Sequence, residues 1–254
     1  MTLTNVRFFK SNNIDTLNEK LWRDIYYEGD ELLFGDEHEP KKAKEIFAVV
    51  QLYGNALERL YNGDVPNGWM FRGSANKVYI DMLKDPERGD QPYTYGERLH
   101  RYLAAKSIGC FEDDGTVSRS YTEVRVNQLE NAKERLREDI RTGIQSNRNC
   151  GVIWNPLDIF LNSPACFQWY QVRKSDKNNV SLRVLFRSHA YDNANFANWG
   201  AILRVFIDEV ITPAGGVLEE LICVSVSAGM EYSNFDMVEA LVGNIPEHIR
   251  RLMK

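Results

Sequence analysis

The residues best placed to do chemistry gather in one stretch, NSPACFQWYQVRKSDKNNVSLRVLFRSHAYDNANFAN, from Asn162 to Asn198. Cys166 follows a proline turn, Arg187 and Ser188 close an alternating run, and an amide-rich loop leads to Asn198. A thiol attacks carbon only as a thiolate, which needs a neighbouring cation or hydrogen-bond donors. Arg187, twenty-one residues on, is such a cation, and a guanidinium also suits a phosphate. Each residue alone has a plainer reading. A strand cysteine is more often a small buried hydrophobe, Arg187 an ordinary ion-pair residue, and Asn198 the cap of the helix that follows it. Read together, their order and spacing favour a nucleophilic thiol.

Other reaction classes leave no trace. The motifs GxxxxGK[ST], GxGxxG and GxSxG are absent. His38, His100, His189 and His248 lack metal-ligand spacing. Cys110, Cys150, Cys166 and Cys223 contain no CxxC, so neither a metal site nor a disulfide framework is expected. A net charge of -5 gives no footprint for nucleic acid, although a few arginines can still hold one phosphate. The start, MTLTNVRFFKSNN, has no apolar run of the signal-peptide kind, and no window approaches the length of a membrane span. A reduced, cytoplasmic protein with no membrane partner is expected.

Apolar residues at 43% and aromatics at 11% suffice for a sizeable core. EIFAVVQLY reads as a strand feeding a helix, GDVPNGWMFRGS as a loop, and QPYTYGERLHRYLA as a turn into a helix. Between 126 and 144 the positions Val126, Leu129, Ala132, Leu136, Ile140 and Ile144 follow helical spacing. CGVIW reads as a buried strand, and CFQWYQV and SLRVLF as two strands joined by the polar turn KSDKNN. A helix is expected from about Phe196 to Val210, then a strand LEELICVSVS and a short helix FDMVEALV. No repeat or long linker divides the chain, so one α+β domain over residues 1–254 is expected.

At this level the sequence resembles the thymidylate synthase family, in motif style its archaeal-type branch. YTYGERL is similar to the family's tyrosine-glycine turn, and VNQLENAKERL to the helix before its subunit-crossing arginines. SNRNCGVIWNP resembles the Ser-Arg-Arg strand, and SPACFQWYQVR the Pro-Cys nucleophile segment with Gln171 five residues after the cysteine. FRSHAYDNANFAN has the Arg-Ser start and the Asn eleven residues later, and SVSAGMEYSNFDM resembles the segment with the ribose-binding tyrosine. The matches run in order from Pro92 to Met237.

The resemblance implies a mixed sheet flanked by helices, with one sheet face at a dimer interface. It implies one-carbon transfer from 5,10-methylenetetrahydrofolate to C5 of a pyrimidine nucleoside monophosphate. Cys166 would add to C6 of the base, making C5 a nucleophile, and Tyr95 would relay the C5 proton through water. Arg187 and Ser188 would hold the phosphate, with Arg148 reaching in from the partner subunit of a homodimer. Asn198 would read the base edge, Tyr232 would bond the ribose hydroxyl, and Gln171 joins the substrate-binding set. Arg72 is the candidate for the family's N-terminal arginine loop.

Departures from the family pattern are concentrated around the sugar and the folate. Asn147 replaces the first crossing arginine and Phe167 the histidine after the nucleophile. Ala190 replaces an aspartate of the folate site, and Gly229 or Met230 the histidine partner of the ribose tyrosine. The family's catalytic glutamate has no assigned position, and EHIRRLMK stands in place of an apolar closing tail. These changes favour a 5-hydroxymethyl product, formed when water captures the one-carbon intermediate, over reductive methylation to a 5-methyl nucleotide. A nucleotide-binding homologue without turnover is the rival from another class.

Overall fold

The structure, a computed structural model, describes residues 6–36, 39–67, 74–87, 89–111 and 117–242, without the side chains of 35–36, 39–40, 74–78, 105–111, 117–121, 237 and 241. The first part comprises β1 (Val6–Ser11), α1 (Ile14–Glu28), β2 (Asp30–Asp36), β3 (Glu39–Tyr53), α2 (Asn55–Tyr61), α3 (Ser74–Lys84) and α4 (Tyr95–His100). Next come β4 (Tyr102–Phe111), β5 (Val117–Val126), α5 (Gln128–Thr142), β6 (Cys150–Val152), β7 (Phe167–Lys174) and β8 (Asn179–Phe186). The last are β9 (His189–Ala190), α6 (Asn195–Phe206), β10 (Val217–Glu231) and α7 (Phe235–Val242).

Helices begin where side chains satisfy the free N–H groups of a first turn. Asn13 accepts from the Asp15 and Thr16 nitrogens at α1, Thr94 from Glu97 at α4, and Asn127 from Glu130 at α5. The stripe expected on α5 is present as Leu129, Ala132 and Leu136, all buried, but the helix is shorter than the spacing suggested. Val126 ends β5, and Ile144 lies beyond the left-handed Gly143 (φ 76°), where it is 59% exposed. α6 is apolar on nearly every side because it is enclosed. Its Phe206 ring meets Tyr170 of the sheet at 4.7 Å, while Gly200 lies against the Leu60 carbonyl of α2.

Eight strands form one mixed sheet in the order β1-β3-β10-β8-β7-β6, with β2 on the first half of β3 and β9 beside the end of β10. β1 and β3 run parallel, as do β10 and β8; β3–β10, β8–β7 and β7–β6 are antiparallel. β4 and β5 make a separate hairpin. Alternation gives the main sheet two unlike faces. Val50, Cys223, Val184 and Tyr170 share the buried face with Leu52, Leu221, Leu182 and Val172. On the opposite face Phe8, Val49, Val224, Leu185, Trp169 and Val152 stand in one cross-strand row. That row is only partly covered, and its end members Phe8 and Val152 are 77% and 45% exposed.

The α+β class and the mixed sheet with flanking helices are therefore as expected, with local corrections. The helix in QPYTYGERLHRYLA has six residues, Tyr95–His100, because Arg101 caps it and YLA already belongs to β4. CGVIW is not a buried strand: β6 is a three-residue edge strand whose Cys150 and Val152 are exposed. β10 runs on through Ala228 to Glu231 across a bulge. No helix of the described residues is long and apolar enough to cross a membrane.

Candidate active site

Cys166 sits at the mouth of β7, where the sheet register sets Phe167 opposite Phe186. That pairing brings Arg187 back onto the proline turn. The Arg187 backbone nitrogen donates to the Cys166 carbonyl (2.9 Å), its Nε to the Ala165 carbonyl (3.0 Å), and its Nη2 to the Pro164 carbonyl (2.6 Å). Nη2 also lies 3.7 Å from Cys166 Sγ. Burial pushes the half-buried thiol above its ordinary value, and the Arg187 guanidinium pulls it back part of the way. The expected gain in thiolate is real in direction but smaller than the cost of burial.

Three tyrosines surround this point. The Phe167 backbone nitrogen donates to the Tyr95 hydroxyl (3.2 Å), and the two rings meet edge-on at 5.8 Å. Burial first, and then the charge of an ionised Cys166, hold the Tyr95 phenol far above its ordinary value, so it stays protonated at neutral pH. Tyr93 and Tyr79 are shifted upward for the same two reasons, which places both within electrostatic reach of the thiol. Neither was singled out from the sequence. Tyr93 carried a signal in the Tyr-x-Tyr spacing at the head of α4, whereas Tyr79 on α3 reaches the site only through packing.

The framework around the thiol is tied together by one arginine. The Arg98 Nη2 donates to Asp158 Oδ1 (2.8 Å) and Nη1 to the Ile153 carbonyl (2.8 Å), a buried forked pair. The same guanidinium lies over the rings of Tyr93 and Tyr102 at 5.2 and 6.0 Å. This ties the helix that carries Tyr95 to the segment that ends at Cys166. Gly96 lets that helix approach closely, since a Cβ there would overlap the Asp85 and Met82 carbonyls.

Beyond Arg187, Ser188 opens onto a cleft of about 130 Å³. Leu32, Phe34 and Met230 give it an apolar wall, and Ala190, Ser227 and Glu231 complete much of its lining. Asp192, also at this cleft, accepts from the Glu231 nitrogen (3.1 Å) and from Asn234 Nδ2 (2.6 Å), which pins the turn bearing Tyr232. The Tyr232 hydroxyl donates to Glu31 (2.6 Å) in a neighbouring cleft. Asn198 is half-buried in the first turns of α6; it does not cap that helix, whose N-cap is Ala194. Arg72 lies outside the described residues.

Arg148 and Gln171 are not part of this cluster within the chain. Gln171 stands on the partly open face of the sheet and donates to the Asn147 carbonyl (2.8 Å). The loop bearing the exposed Arg148 runs beside Val172, whose nitrogen donates to the Asn149 carbonyl. Val172 is six positions on from Cys166 along β7, roughly 20 Å at the rise of a strand. No group of three or more potential metal ligands occurs among the described residues.

Behind Arg187, on the buried face, His189 stacks on Phe186 at 4.0 Å and shares a hydrogen bond with Ser225 Oγ (3.1 Å). Tyr191 also reaches Ser225 (3.1 Å), and Cys223 lies 4.0 Å from the imidazole. Burial lowers the His189 pKa from 6.5 to about 3 and pushes the Cys223 thiol up to about 12. A depressed histidine pKa means that only the unfolded chain takes up the proton as pH falls below 6.5. Its stabilising contribution is complete above that value and is lost progressively toward pH 3. Urea unfolding should therefore show about 2 kcal/mol less stability from this group at pH 5 than at pH 7. The pH dependence of His189→Gln should be smaller by that amount, and equal pH dependence would contradict the burial of a neutral ring.

No family model matches the chain, and no curated protein matches it. The site brings a thiol, a cation and a protonated phenol together beside a cleft with apolar and acceptor groups.

Proposed function

We propose that the protein is a homodimeric transferase that moves a one-carbon unit from 5,10-methylenetetrahydrofolate to C5 of a pyrimidine nucleoside monophosphate. One observation carries this reading: Cys166 Sγ lies 3.7 Å from Arg187 Nη2, and the Tyr95 hydroxyl is bonded to the very next backbone nitrogen. A cation there favours the thiolate, and a guanidinium in that place also suits the phosphate of a nucleotide substrate.

In this reading Cys166 adds to C6, and the electron pair displaced onto C5 makes that carbon nucleophilic. Arg187 favours the thiolate and, with Ser188 beside it, anchors the phosphate. Asn198 reads the base edge through its amide. Tyr95, kept protonated by burial, relays the proton leaving C5 through water and is not itself the base. Tyr232, on the turn pinned by Asp192, contacts the sugar. Arg148 completes the phosphate site from a second copy docked on the open sheet face, and Gln171 lines that face. The apolar wall of Leu32, Phe34 and Met230, with acceptors at Ser227 and Glu231, suits a flat donor-bearing ring such as the pterin. When bound, the folate supplies the one-carbon unit.

Ala190 stands where the family resemblance implies a carboxylate, while Asp192 and Glu231 line the same cleft; on the departure at Ala190 a hydroxymethyl product is favoured over methyl. Incubation with methylenetetrahydrofolate and UMP, dUMP, CMP or dCMP tritiated at C5 should release tritium from one of the four. The near-ultraviolet absorbance of dihydrofolate should not rise during turnover. A rise matching nucleotide consumption, with a methylated product by mass, would make the enzyme a reductive methylase. Tight nucleotide binding without tritium release would favour a protein that binds and does not turn over.

A further inference from the structure

The partly open face of the sheet carries a second cluster of cations far from the thiol. Arg173 of β7 and Ser181 of β8 are register partners, and Arg183 follows Ser181 on the same face, opposite Gln171. Together they line a cleft of about 280 Å³, shared with Gln145 and with Glu220, the register partner of Ser181 on β10. Arg173 is seven residues along β7 from Cys166, a separation of more than 20 Å at roughly 3.3 Å per residue.

Three features of this cleft lack compensation. Arg183 meets only a neutral partner, its Nη1 donating to Gln171 Oε1 (3.2 Å), while its Nε is buried without any hydrogen-bond partner. Ser181 is 2% exposed, and its Oγ is likewise buried with no partner. Arg173 forms no ion pair or hydrogen bond with another described side chain. The one carboxylate among the cleft's described lining residues, Glu220, accepts from the neutral Gln51 Nε2, so two guanidinium groups face a single carboxylate, and the charge of Lys174 acts on Asp139. A buried guanidinium nitrogen and a buried hydroxyl left unsatisfied each cost free energy, which an anion bound between them would recover.

We infer that this cleft is an oxyanion site for a tetrahedral anion of the phosphate class, separate from the phosphate position beside Cys166. The two guanidinium groups supply forked donors, and Ser181 supplies a hydroxyl from the floor, so donors converge from different directions. These residues touch neither Cys166 nor Arg187, so the inference does not depend on the one-carbon chemistry; it does require that a second copy docked on this face leave the cleft open.

Calorimetric titration of the whole protein with inorganic phosphate at low ionic strength tests it. The Arg187→Gln variant serves as the background, so that phosphate held beside the thiol does not contribute. A saturable event should persist in that background. Adding Arg173→Gln should weaken it about tenfold, the loss of one charge-assisted contact, and adding Ser181→Ala should weaken it several-fold. Sulfate should compete and acetate should not. Circular dichroism of the Arg173→Gln and Ser181→Ala proteins checks that each is folded. Absence of a saturable event in the Arg187→Gln protein would overturn the assignment. So would an affinity that folded Arg173→Gln leaves unchanged, or equal competition by acetate.

Discussion

Replacing Cys166 by serine should abolish release of the C5 proton, by about a thousandfold or more, while leaving the protein folded. An alcohol at this position is far less nucleophilic near neutral pH than even a small fraction of thiolate. The exchange removes no packing volume of consequence, so the urea midpoint should move by no more than about 1 kcal/mol in stability. Cys223→Ala is the informative contrast. Its thiol is pushed up to about 12 by complete burial and faces the core side of the sheet, so that variant should keep turnover if it folds. Alkylation adds a direct view of Cys166 itself. In a Cys150→Ala background, which removes the exposed edge-strand thiol, labelling of Cys166 should accelerate with pH only above the range of an ordinary thiol. Arg187→Gln should move that curve further up, because the lost guanidinium is the group that opposes burial. Substantial activity in Cys166→Ser would remove the nucleophile from the mechanism. An alkylation curve untouched by Arg187→Gln would separate the arginine from the thiol.

Mixing inactive Arg148→Ala with inactive Cys166→Ala should restore activity that neither protein has alone. Within one chain Arg148 lies beside the far end of β7, roughly 20 Å from Cys166, and no arginine side chain spans that distance. The partly open face beside it carries the apolar row from Phe8 to Val152, a surface that a second copy can cover. If two copies pair through that face, each site takes its thiol from one subunit and its Arg148 from the other. A hybrid dimer then contains one site with neither lesion. Random exchange of equal amounts makes half the dimers hybrid, so about a quarter of all sites should be intact. Activity should approach that fraction of the unmodified protein after incubation long enough for subunits to exchange. No recovery despite demonstrated exchange, or a monomer by sedimentation under assay conditions, would leave Arg148 outside the site.

Much of the scaffold could be read from local spacing. The stripe Leu129, Ala132, Leu136 marks a helix because side chains three or four apart share a face, and the alternation in CFQWYQV and SLRVLF marks strands because neighbours point to opposite faces. Both follow from backbone geometry within a few residues, which is why they needed no tertiary information. The nearness of Arg187 to Cys166 was also legible, because two strands joined by a short polar turn must pair antiparallel and return the chain to its starting level. What lay outside reach was everything set by surroundings. Ile144 fits the helical period yet is exposed, since Gly143 ends the helix before it. CGVIW has the composition of an interior strand yet lies at the sheet edge, since strand order is decided by distant pairings. Tyr95 comes within bonding distance of the Phe167 nitrogen across seventy-one residues of chain only because α4 is clamped by Arg98 to Asp158 and allowed close by Gly96. The ionisation of Cys166 was likewise a matter of tertiary structure. The arginine could be read in the sequence, but the burial that outweighs it depends on how much protein closes over the sulfur, and residue type and spacing do not encode that.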